Sequence, residues 1–297
     1  MIIDGNILSS EIRAKLKNKI INLKEEYDEV PHLTVILVGD DPASKSYVKA
    51  KEKACREVGI KSTKITLDKT VSLETLLKEI DKLNNEDTVH GILVQLPLPK
   101  HISQDTVIDY MNQIKDVDGL HPYNISRLHT LRYSVLPCTP KGIITMLKSN
   151  NIDIAGQHAV VIGRSNLVGK PIGQLLLKEN ASVTITHRYT KDLASITKTA
   201  DILISAVGKA QFVTKDMVKK DAVCIDVGLS KVNGKLYGDF DFDNLLDHVS
   251  FISKAPGGVG PMTITSLLEN TVECFINQKN DIILWCHFYM VIKAVWW

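Results

Sequence analysis

HAVVIGRSNLVGKPIGQLLLKENASVTITHR, residues 158–188, places two short β-branched runs on either side of a helical pattern. Ala159–Ile162 has the length and composition of a buried parallel strand, and this run breaks at Gly163. The helical face that follows is made of Leu167, Ile172, Leu175 and Leu176. Val183–Thr186 is a second strand. We therefore predict the strand–turn–helix–strand unit of a Rossmann-type domain, whose turn can hold a phosphate.

The predicted turn departs from the usual dinucleotide pattern, G-x-G-x-x-G, because Gly163 is followed by Ser165 and Gly169. A glycine-rich turn alone is a weak signal for nucleotide binding. The second strand ends at Thr186, His187 and Arg188 rather than at the acid that holds the ribose hydroxyls of NAD. A cation at this point suits a 2′-phosphate, so NADP is favoured over NAD. The alternative is an arginine that only faces solvent.

Length and composition limit the possible classes of protein. The chain has 297 residues, of which 44% are hydrophobic, and this predicts two domains with a sizeable core. The net charge of +2 does not favour nucleic acid or a membrane surface as the main partner. The five cysteines form no C-x-x-C pair, which argues against a disulfide framework and a metal site. With no export signal in MIIDGNILSSEIR, we expect a cytoplasmic protein.

The chain before residue 116 alternates between helices and strands. A first helix capped by Ser9 or Ser10 is followed by strands at His32–Val38, Lys61–Leu67 and Val89–Leu96, and by helices near residues 43–58, Leu73–Leu83 and 105–113. This alternation predicts a second α/β layer with a parallel sheet. Residues 116–136 lose periodicity, and we interpret them as the crossing between domains.

The remaining chain completes the Rossmann-type domain. Further strands are predicted at Ile202–Ala206 and Val223–Val227, and the glycine-rich residues 255–263 lead into a last helix at Ile264–Ile276. Residues 282–297, IILWCHFYMVIKAVWW, contain all three tryptophans. This tail is shorter than the roughly 20 residues that span a bilayer. It can pack on the body, lie at a membrane interface or have no structural role, and the residues do not decide between these.

Lys51 interrupts an apolar stripe on the predicted helix near residues 43–58. The stripe consists of Tyr47, Val48, Ala54, Cys55 and Val58, whereas Lys45, Lys49, Lys53 and Arg56 lie mostly on the other side. An inward lysine needs an acceptor or must lose its proton, and burial lowers a lysine pKa toward the range of proton transfer. Tyr47 stands one turn earlier on the same face. The alternative is a lysine that snorkels to solvent.

Two polar residues follow or interrupt predicted elements in ways that suit ligand binding. Gln95 ends an apolar strand, and the carboxyl ends of parallel strands are where α/β sheets bind ligands. It can equally close its strand before Pro97. Asp118 in KDVDG can accept two hydrogen bonds from an amidine-like edge, but Asp-Gly is also ordinary turn chemistry. Met262, Thr263 and the preceding PGGVG can form a backbone nest or only a helix entry loop.

Taken together, these stretches resemble the bifunctional methylenetetrahydrofolate dehydrogenase/methenyltetrahydrofolate cyclohydrolase family. The matching segments occur in family order and span nearly the whole chain up to about residue 280. They are SYVKAKEKACREVGI (Ser46–Ile60), GILVQLPLP (Gly91–Pro99), KDVDGLHP (Lys115–Pro122), PCTPKG (Pro137–Gly142), GRSNLVGKP (Gly163–Pro171) and PGGVGPMT (Pro256–Thr263).

The resemblance implies an α/β fold of two domains, each with a mainly parallel sheet flanked by helices, and a cleft between them. Residues 1–119 with about 266–297 would form the folate-binding catalytic domain, and residues 120–265 the Rossmann-type NADP-binding domain. The implied activity is NADP-dependent oxidation of 5,10-methylenetetrahydrofolate and hydrolysis of the product to 10-formyltetrahydrofolate, in the one-carbon metabolism that serves purine biosynthesis. The implied assembly is a homodimer.

The resemblance also implies roles for individual residues. Lys51 would be the central catalytic residue, Tyr47 would stack on the folate, Gln95 would hold Lys51, and Asp118 would grip the pterin-like ring edge. The NADP contacts would come from Gly163, Arg164, Ser165, Arg188 and Leu229. The loop of Pro256, Gly257 and Gly258 would close over the substrate.

Two departures from the family pattern and two rival functions remain. Ser126 stands where the family typically has glycine, and the tryptophan-rich tail is unlike the usual short polar ending. One rival is a two-domain dehydrogenase of the shikimate or amino-acid type, which needs a clamp for a substrate carboxylate. The other is a non-catalytic NADP-binding sensor, against which the set of Tyr47, Lys51, Gln95 and Asp118 argues.

Overall fold

A computed structural model describes residues 1–280, so the tryptophan-rich tail discussed above lies outside the described residues. The chain divides into two compact units. One consists of Met1–Ile12 and Ile125–Ser266, and the other consists of Arg13–Asn124 and, within the described residues, 267–280. We call them the six-stranded unit and the three-stranded unit after their main sheets.

The six-stranded unit is built on a parallel sheet. Its strands are β1 (Ile2–Ile3), β5 (His158–Ile162), β6 (Ser182–Thr186), β7 (Ile202–Ser205), β8 (Val223–Asp226) and β11 (Phe251–Ser253), in the order β1-β11-β8-β7-β5-β6. Every pairing in it is parallel. A separate antiparallel hairpin joins β9 (Ser230–Val232) to β10 (Lys235–Tyr237).

Helices cover both faces of this sheet. They are α6 (Cys138–Ser149), α7 (Gly169–Lys178), α8 (Leu193–Thr197) and α9 (Phe242–Leu245), with parts of α1 (Gly5–Tyr27), α5 (Pro122–His129) and α10 (Val259–Lys279). Side chains of β5 alternate between two cores, with Ala159 and Val161 in one and Val160 and Ile162 in the other. A strand buried on both faces is necessarily apolar throughout, which is why the strand prediction from composition succeeded here.

The three-stranded unit has a parallel sheet of β2 (His32–Val38), β3 (Lys61–Leu67) and β4 (Gly91–Val94), in the order β3-β2-β4. Its helices include α2 (Pro42–Val58), α3 (Leu73–Asn84) and α4 (Gln104–Tyr110). In both units the strand order reverses beside a central strand, between β2 and β4 in one and between β5 and β7 in the other. Ligands of open α/β sheets bind outside the carboxyl ends of the strands at such reversals.

Several elements differ from the sequence prediction. The first helix begins at Gly5 rather than at Ser9 or Ser10, because Asp4 Oδ1 accepts the N–H groups of Asn6 (2.9 Å) and Ile7 (3.4 Å). Ser9 is buried inside that helix and donates to the Asn6 carbonyl.

The predicted crossing at residues 116–136 contains the helix α5. Pro122 is its first residue, a position that proline favours, and His121 Nδ1 accepts the N–H of Tyr123 at 3.1 Å. The last helix, α10, begins at Val259 instead of Ile264, so Met262 and Thr263 lie in its first turns. The strands β1 and β11 were not predicted, because two and three residues carry no readable period.

The first twelve residues also lie in a different unit from the predicted one. The sequence prediction assigned residues 1–119 to one domain, whereas β1 pairs with β11 in the six-stranded sheet. Lys254 Nζ donates to Asp4 Oδ2 at 2.5 Å, and the N–H of Asn6 donates to the Gly257 carbonyl at 3.2 Å. These contacts join two segments that are far apart in sequence, so no local sequence pattern could predict them. Among the described residues, no helix is long and apolar enough to cross a membrane.

A buried histidine pair stabilises the three-stranded unit. His90 is 1% exposed, and its Nδ1 accepts the backbone N–H of His32 at 3.1 Å. The ring proton therefore sits on Nε2, which lies 3.5 Å from Glu29 Oε1. Burial lowers the pKa of His90 to about 4, despite the opposite effect of the Glu29 charge.

This histidine predicts acid destabilisation of the fold. The folded ring stays neutral down to about pH 4, whereas the unfolded ring takes a proton near pH 6.5, so the unfolded chain binds more protons between these values. We expect His90 to lower the free energy of unfolding by about 1 kcal/mol for each pH unit by which the pH is reduced across this window. The measurement is urea unfolding at several pH values, compared with His90→Asn, which keeps an acceptor near the Nδ1 position. Parallel pH profiles for the two proteins would contradict the assignment.

Candidate functional site

Lys51 lies on the buried face of α2. Asp41 caps this helix through Oδ2, which accepts the N–H of Ser44 at 2.7 Å, and Pro42 follows as its first residue. Ser44, Val48 and Cys55 on the Lys51 face are buried. Counted from Ser44, Val48 is four residues on, Lys51 seven and Cys55 eleven, so all four side chains share one face of the helix. The predicted inward placement of Lys51 is therefore present in the structure, with the lysine half-buried.

The Lys51 ammonium meets an acceptor at the end of β4. Its Nζ donates to Gln95 Oε1 at 3.0 Å. The Gln95 amide is oriented by a second bond, in which Nε2 donates to the Leu96 carbonyl at 2.7 Å. The backbone N–H of Gln95 continues the sheet by donating to the Ile36 carbonyl at 2.8 Å. Strand pairing thus places the Gln95 side chain, and Gln95 in turn places the Lys51 nitrogen.

Tyr47 stands one turn before Lys51 on α2 and is 51% exposed. The sequence prediction included it in the apolar stripe, but Ser44 takes the buried position instead. Because Tyr47 and Lys51 are four residues apart on one helix, the exposed phenol ring offers a flat face on the same side of α2 as the lysine. Such faces bind planar heterocycles by stacking.

Asp118 belongs to a tight turn that a neighbouring carboxyl holds in shape. Asp116 is fully buried, and it accepts N–H groups from Gly119 (3.1 Å) and His121 (2.8 Å) and the Asn124 amide (2.9 Å). Burial raises the pKa of Asp116 to about 6, and the negative charge of Asp118 adds to the rise. Gly119 adopts φ +69°, which favours glycine. Asp118 itself is half-buried on this turn.

The turn after β5 in the six-stranded unit is shaped for close approach to its own backbone. Gly163 has φ +121°, and a Cβ there would lie 2.8 Å from the Ala206 carbonyl oxygen. A Cβ at Gly169 would lie 2.1 Å from the Gly163 carbonyl oxygen. Ser165 Oγ accepts the N–H groups of Val168 (3.2 Å) and Gly169 (3.3 Å) at the start of α7. The turn therefore lies at the strand reversal beside a helix amino terminus, where a pyrophosphate can bind.

Two exposed arginines flank this turn. Arg164 follows Gly163, and Arg188 follows the end of β6. Within residues 1–280 neither guanidinium forms an ion pair with a carboxylate. Their charges are thus available to an anion, as the NADP prediction requires. The residues that are present fit a dinucleotide that carries an additional phosphate.

Leu229 is 39% exposed and lies on a loop held by two buried acids. Asp239 accepts Ser205 Oγ and the N–H groups of Val207 and Lys209, each at 2.8 Å. Asp226 accepts the N–H of Asp239 at 2.8 Å. A Cβ at Gly228 would lie 2.0 Å from Asp239 Oδ1, so the chain passes directly over this carboxylate.

Burial raises the pKa of Asp226 to about 7, and the Asp239 carboxylate adds to the rise. Asp116, Asp226 and Asp239 were not predicted as site residues. In the sequence each of them is only an acidic residue near the end of a strand, and acidic residues are common at such turns. What distinguishes these three is burial with backbone N–H partners, which depends on the tertiary fold.

The loop of Pro256, Gly257 and Gly258 precedes α10. Gly257 adopts φ +104°, and a Cβ there would lie 2.8 Å from Asn6 Nδ2. A Cβ at Gly142 would lie 3.1 Å from Met262, so α6 and the start of α10 pack closely. Thr139 and Thr263 hydroxyls share a hydrogen bond at 3.0 Å. The glycines thus permit tight packing where α10 begins. Of the two interpretations given above, a backbone nest and a helix entry loop, these contacts fit the helix entry loop.

The structure places these residues in two groups. The three-stranded unit contains Tyr47, Lys51, Gln95 and Asp118, and the six-stranded unit contains Gly163, Arg164, Ser165, Arg188, Leu229, Pro256, Gly257 and Gly258. Among residues 1–280, no cluster of three or more histidine, cysteine, aspartate or glutamate side chains could hold a metal ion.

Comparison with known proteins gives one family for both units. The family model "Tetrahydrofolate dehydrogenase/cyclohydrolase, catalytic domain" matches residues 3–118, and the model for its NAD(P)-binding domain matches residues 137–279. The bifunctional protein FolD of Bacillus anthracis is 55% identical over 274 residues, which cover 92% of this chain and 96% of that protein.

Two solved structures are also similar. The bifunctional enzyme FolD, methylenetetrahydrofolate dehydrogenase/cyclohydrolase, of Campylobacter jejuni is 45% identical with a TM-score of 0.92, covering 95% of this chain and 99% of that one. The Trypanosoma brucei dehydrogenase–cyclohydrolase, solved with NADP cofactor and an inhibitor, is 35% identical with a TM-score of 0.90, covering 93% and 97%.

Proposed function

Since the chain belongs to the tetrahydrofolate dehydrogenase/cyclohydrolase family, we propose that it oxidises 5,10-methylenetetrahydrofolate with NADP⁺ and hydrolyses the resulting 5,10-methenyltetrahydrofolate to 10-formyltetrahydrofolate. The observation that carries this proposal for the present chain is the contact between Lys51 Nζ and Gln95 Oε1, at 3.0 Å. It gives the three-stranded unit a positioned amine at the carboxyl edge of its sheet. A non-catalytic NADP-binding sensor would not require such an amine.

Two side chains bind and orient the folate in this account. The ring of Tyr47 stacks on the substrate, and Asp118 accepts hydrogen bonds from the amidine-like edge of the pterin, a pairing that suits a carboxylate. Two hydrogen bonds at one end and stacking at the other restrict the rotation of the substrate, which is how binding supplies orientation to a hydride transfer.

The dehydrogenase step leaves a cationic methenyl bridge on the folate. When bound, NADP⁺ supplies the acceptor for the hydride. Gly163, Arg164 and Ser165 would hold its phosphates, Arg188 would meet the 2′-phosphate, and Leu229 would contact the nicotinamide part. The two glycines that let the turn close on itself, and the arginines without carboxylate partners in residues 1–280, support this assignment.

The cyclohydrolase step requires protons to be moved. Water adds to the methenyl carbon and loses a proton, and the ring then opens when the departing nitrogen is protonated, so that the carbon remains as a formyl group. Lys51 is the side chain that performs these transfers, because a lysine amine can act as both base and acid. Gln95 Oε1 keeps the nitrogen directed toward the substrate between the two transfers.

We further propose that the chain forms a homodimer through the six-stranded unit in a reducing, cytoplasmic compartment. Strand β6 is the outer strand of its sheet, and Ile185 on it is 36% exposed while Leu177 on α7 is 47% exposed. An uncovered strand edge with apolar side chains favours pairing with another chain. Cys55, Cys138, Cys224 and Cys274 are buried free thiols, as in proteins of reducing compartments.

The role of Lys51 predicts the behaviour of Lys51→Met. This variant removes the amine and keeps the apolar stem, so we expect the turnover of methenyltetrahydrofolate hydrolysis to fall by at least about 10². NADP⁺ affinity should not change, because the nucleotide-binding residues lie in the other unit. The measurement is the loss of methenyl absorbance together with a nucleotide titration.

Lys49→Met is the matched control for this variant. Lys49 lies two residues earlier on α2 and is exposed, so this substitution makes the same change of charge without touching the site. It should hydrolyse the methenyl substrate at the wild-type rate. Equal hydrolysis rates for Lys51→Met and Lys49→Met would remove Lys51 from the mechanism.

The dimer is tested by light scattering of the purified chain. We expect a mass of about twice the 33.0 kDa of one chain. Ile185→Glu places a charge on the outer strand, and it should shift the protein toward the monomer mass. A wild-type protein that stays monomeric at micromolar concentration, or an Ile185→Glu dimer of undiminished stability, would count against this interface.

A further inference from the structure

A turn at residues 187–190 holds a tyrosine against the arginine assigned to the 2′-phosphate. Arg188 Nη2 donates to the Tyr189 hydroxyl at 2.6 Å, and the Arg188 guanidinium carbon lies 4.7 Å from the centroid of the Tyr189 ring. The arginine therefore contacts the ring face and the hydroxyl of one side chain. Two contacts of this kind reduce the rotamer freedom of an exposed arginine.

The second arginine of the nucleotide turn lies near the same ring. The Arg164 guanidinium carbon is 6.0 Å from the Tyr189 centroid, at the outer limit of a cation–π contact. Arg164 and Arg188 come from the ends of different strands, β5 and β6, and the tyrosine ring is the group they share. Both guanidinium groups lie within 6.0 Å of one ring centroid and neither has a carboxylate partner in residues 1–280, so the pair favours a dianionic ligand.

The Tyr189 hydroxyl can also serve the anion directly. Its oxygen accepts from Arg188, and within residues 1–280 no acceptor takes its own proton. A phenol O–H is both donor and acceptor, so the proton remains available to a phosphate oxygen. The ligand chemistry that satisfies all three groups is a phosphate monoester.

Two hydrogen bonds between His187 and Thr190 hold this turn, and the Tyr189 ring adds an edge-to-face contact with the His187 ring, with 6.0 Å between centroids. Thr190 Oγ1 accepts the N–H of His187 at 2.9 Å, and the N–H of Thr190 donates to the His187 carbonyl at 2.8 Å. Tyr189 is 64% exposed and belongs to neither core of the unit. Its substitution therefore leaves the fold intact, and an effect on binding can be separated from an effect on folding.

We propose that Tyr189 is a positioning residue for the 2′-phosphate, which directs the Arg188 and Arg164 guanidinium groups at that phosphate and so sets the preference for NADP⁺ over NAD⁺. The proposal rests on the proposed function for its choice of nucleotide. It differs from the assignment of Arg188 alone, because it makes the preference depend on a neutral side chain. A Tyr189 that only covers the arginines would not affect one nucleotide more than the other.

The test compares adenosine 2′,5′-bisphosphate with adenosine 5′-monophosphate by calorimetry on the full chain. Tyr189→Phe loses the hydroxyl that accepts from Arg188 and can donate to the phosphate. The bisphosphate should therefore bind about three- to tenfold more weakly. Tyr189→Leu also loses the ring face and should lose about tenfold or more. The monophosphate should bind all three proteins equally. Tyr110→Phe, at an exposed tyrosine of the three-stranded unit, is the control and should match the wild type.

Steady-state kinetics supplies the second measurement. With methylenetetrahydrofolate saturating, Tyr189→Phe should raise KM for NADP⁺ and leave kcat and the KM for NAD⁺ unchanged. An equal loss of affinity for both adenosine ligands would show that the ring contacts the adenine. Unchanged affinity for both would show that the ring has no role in binding. Either result overturns the proposal. A wild-type protein without turnover would contradict the proposed function instead, while the calorimetry still decides the role of Tyr189.

Discussion

An ammonium group on the buried face of a helix must find an acceptor, and the site depends on how this chain provides one. Lys51 lies among Val48, Cys55 and other buried side chains of α2, where an unpaired charge would be costly. Gln95 supplies the acceptor through Oε1, and its Nε2 is already engaged by the Leu96 carbonyl. The amide can therefore present only oxygen to the lysine. The orientation of one side chain amide thus fixes the place of the reactive nitrogen.

The two units solve the same structural problem with different chemistry. Each has a parallel sheet whose strand order reverses beside a central strand, and each collects polar groups at the carboxyl ends next to that reversal. In the three-stranded unit these groups are side chains, an amine and an amide. In the six-stranded unit the turn is made largely of backbone, and Gly163 and Gly169 allow it to close without a Cβ. Side chains suit proton transfer, and exposed backbone N–H groups suit phosphates.

Predictions from the sequence succeeded where a local pattern determined the structure. Strands β2 and β3 have the predicted bounds, because an apolar or β-branched run between breakers is readable from sequence alone. The inward placement of Lys51 followed from helical spacing. The Lys51–Gln95 contact, by contrast, joins residues 44 positions apart, and its expectation came from family resemblance rather than from spacing.

The features that sequence reasoning missed depend on distant segments. Strand β1 is too short to show a period and exists because β11 pairs with it. Asp116, Asp226 and Asp239 look like turn acids in the sequence, and only burial against backbone N–H groups turns them into the supports of the Asp118 turn and the Leu229 loop. The start of the first helix was misplaced for a related reason, since the Asp4 cap lies outside the apolar period.

The most direct measurement of the central claim is the rate of methenyltetrahydrofolate hydrolysis by Gln95→Leu at saturating substrate. This variant retains Lys51 and removes the Gln95 amide, whose oxygen holds the lysine nitrogen and whose Nε2 donates to the Leu96 carbonyl. We expect kcat to fall by about tenfold or more while the protein still binds the folate, because a misplaced amine transfers protons poorly. A Gln95→Leu enzyme with the wild-type kcat would show that the position of Lys51 does not depend on this contact, and would contradict the account.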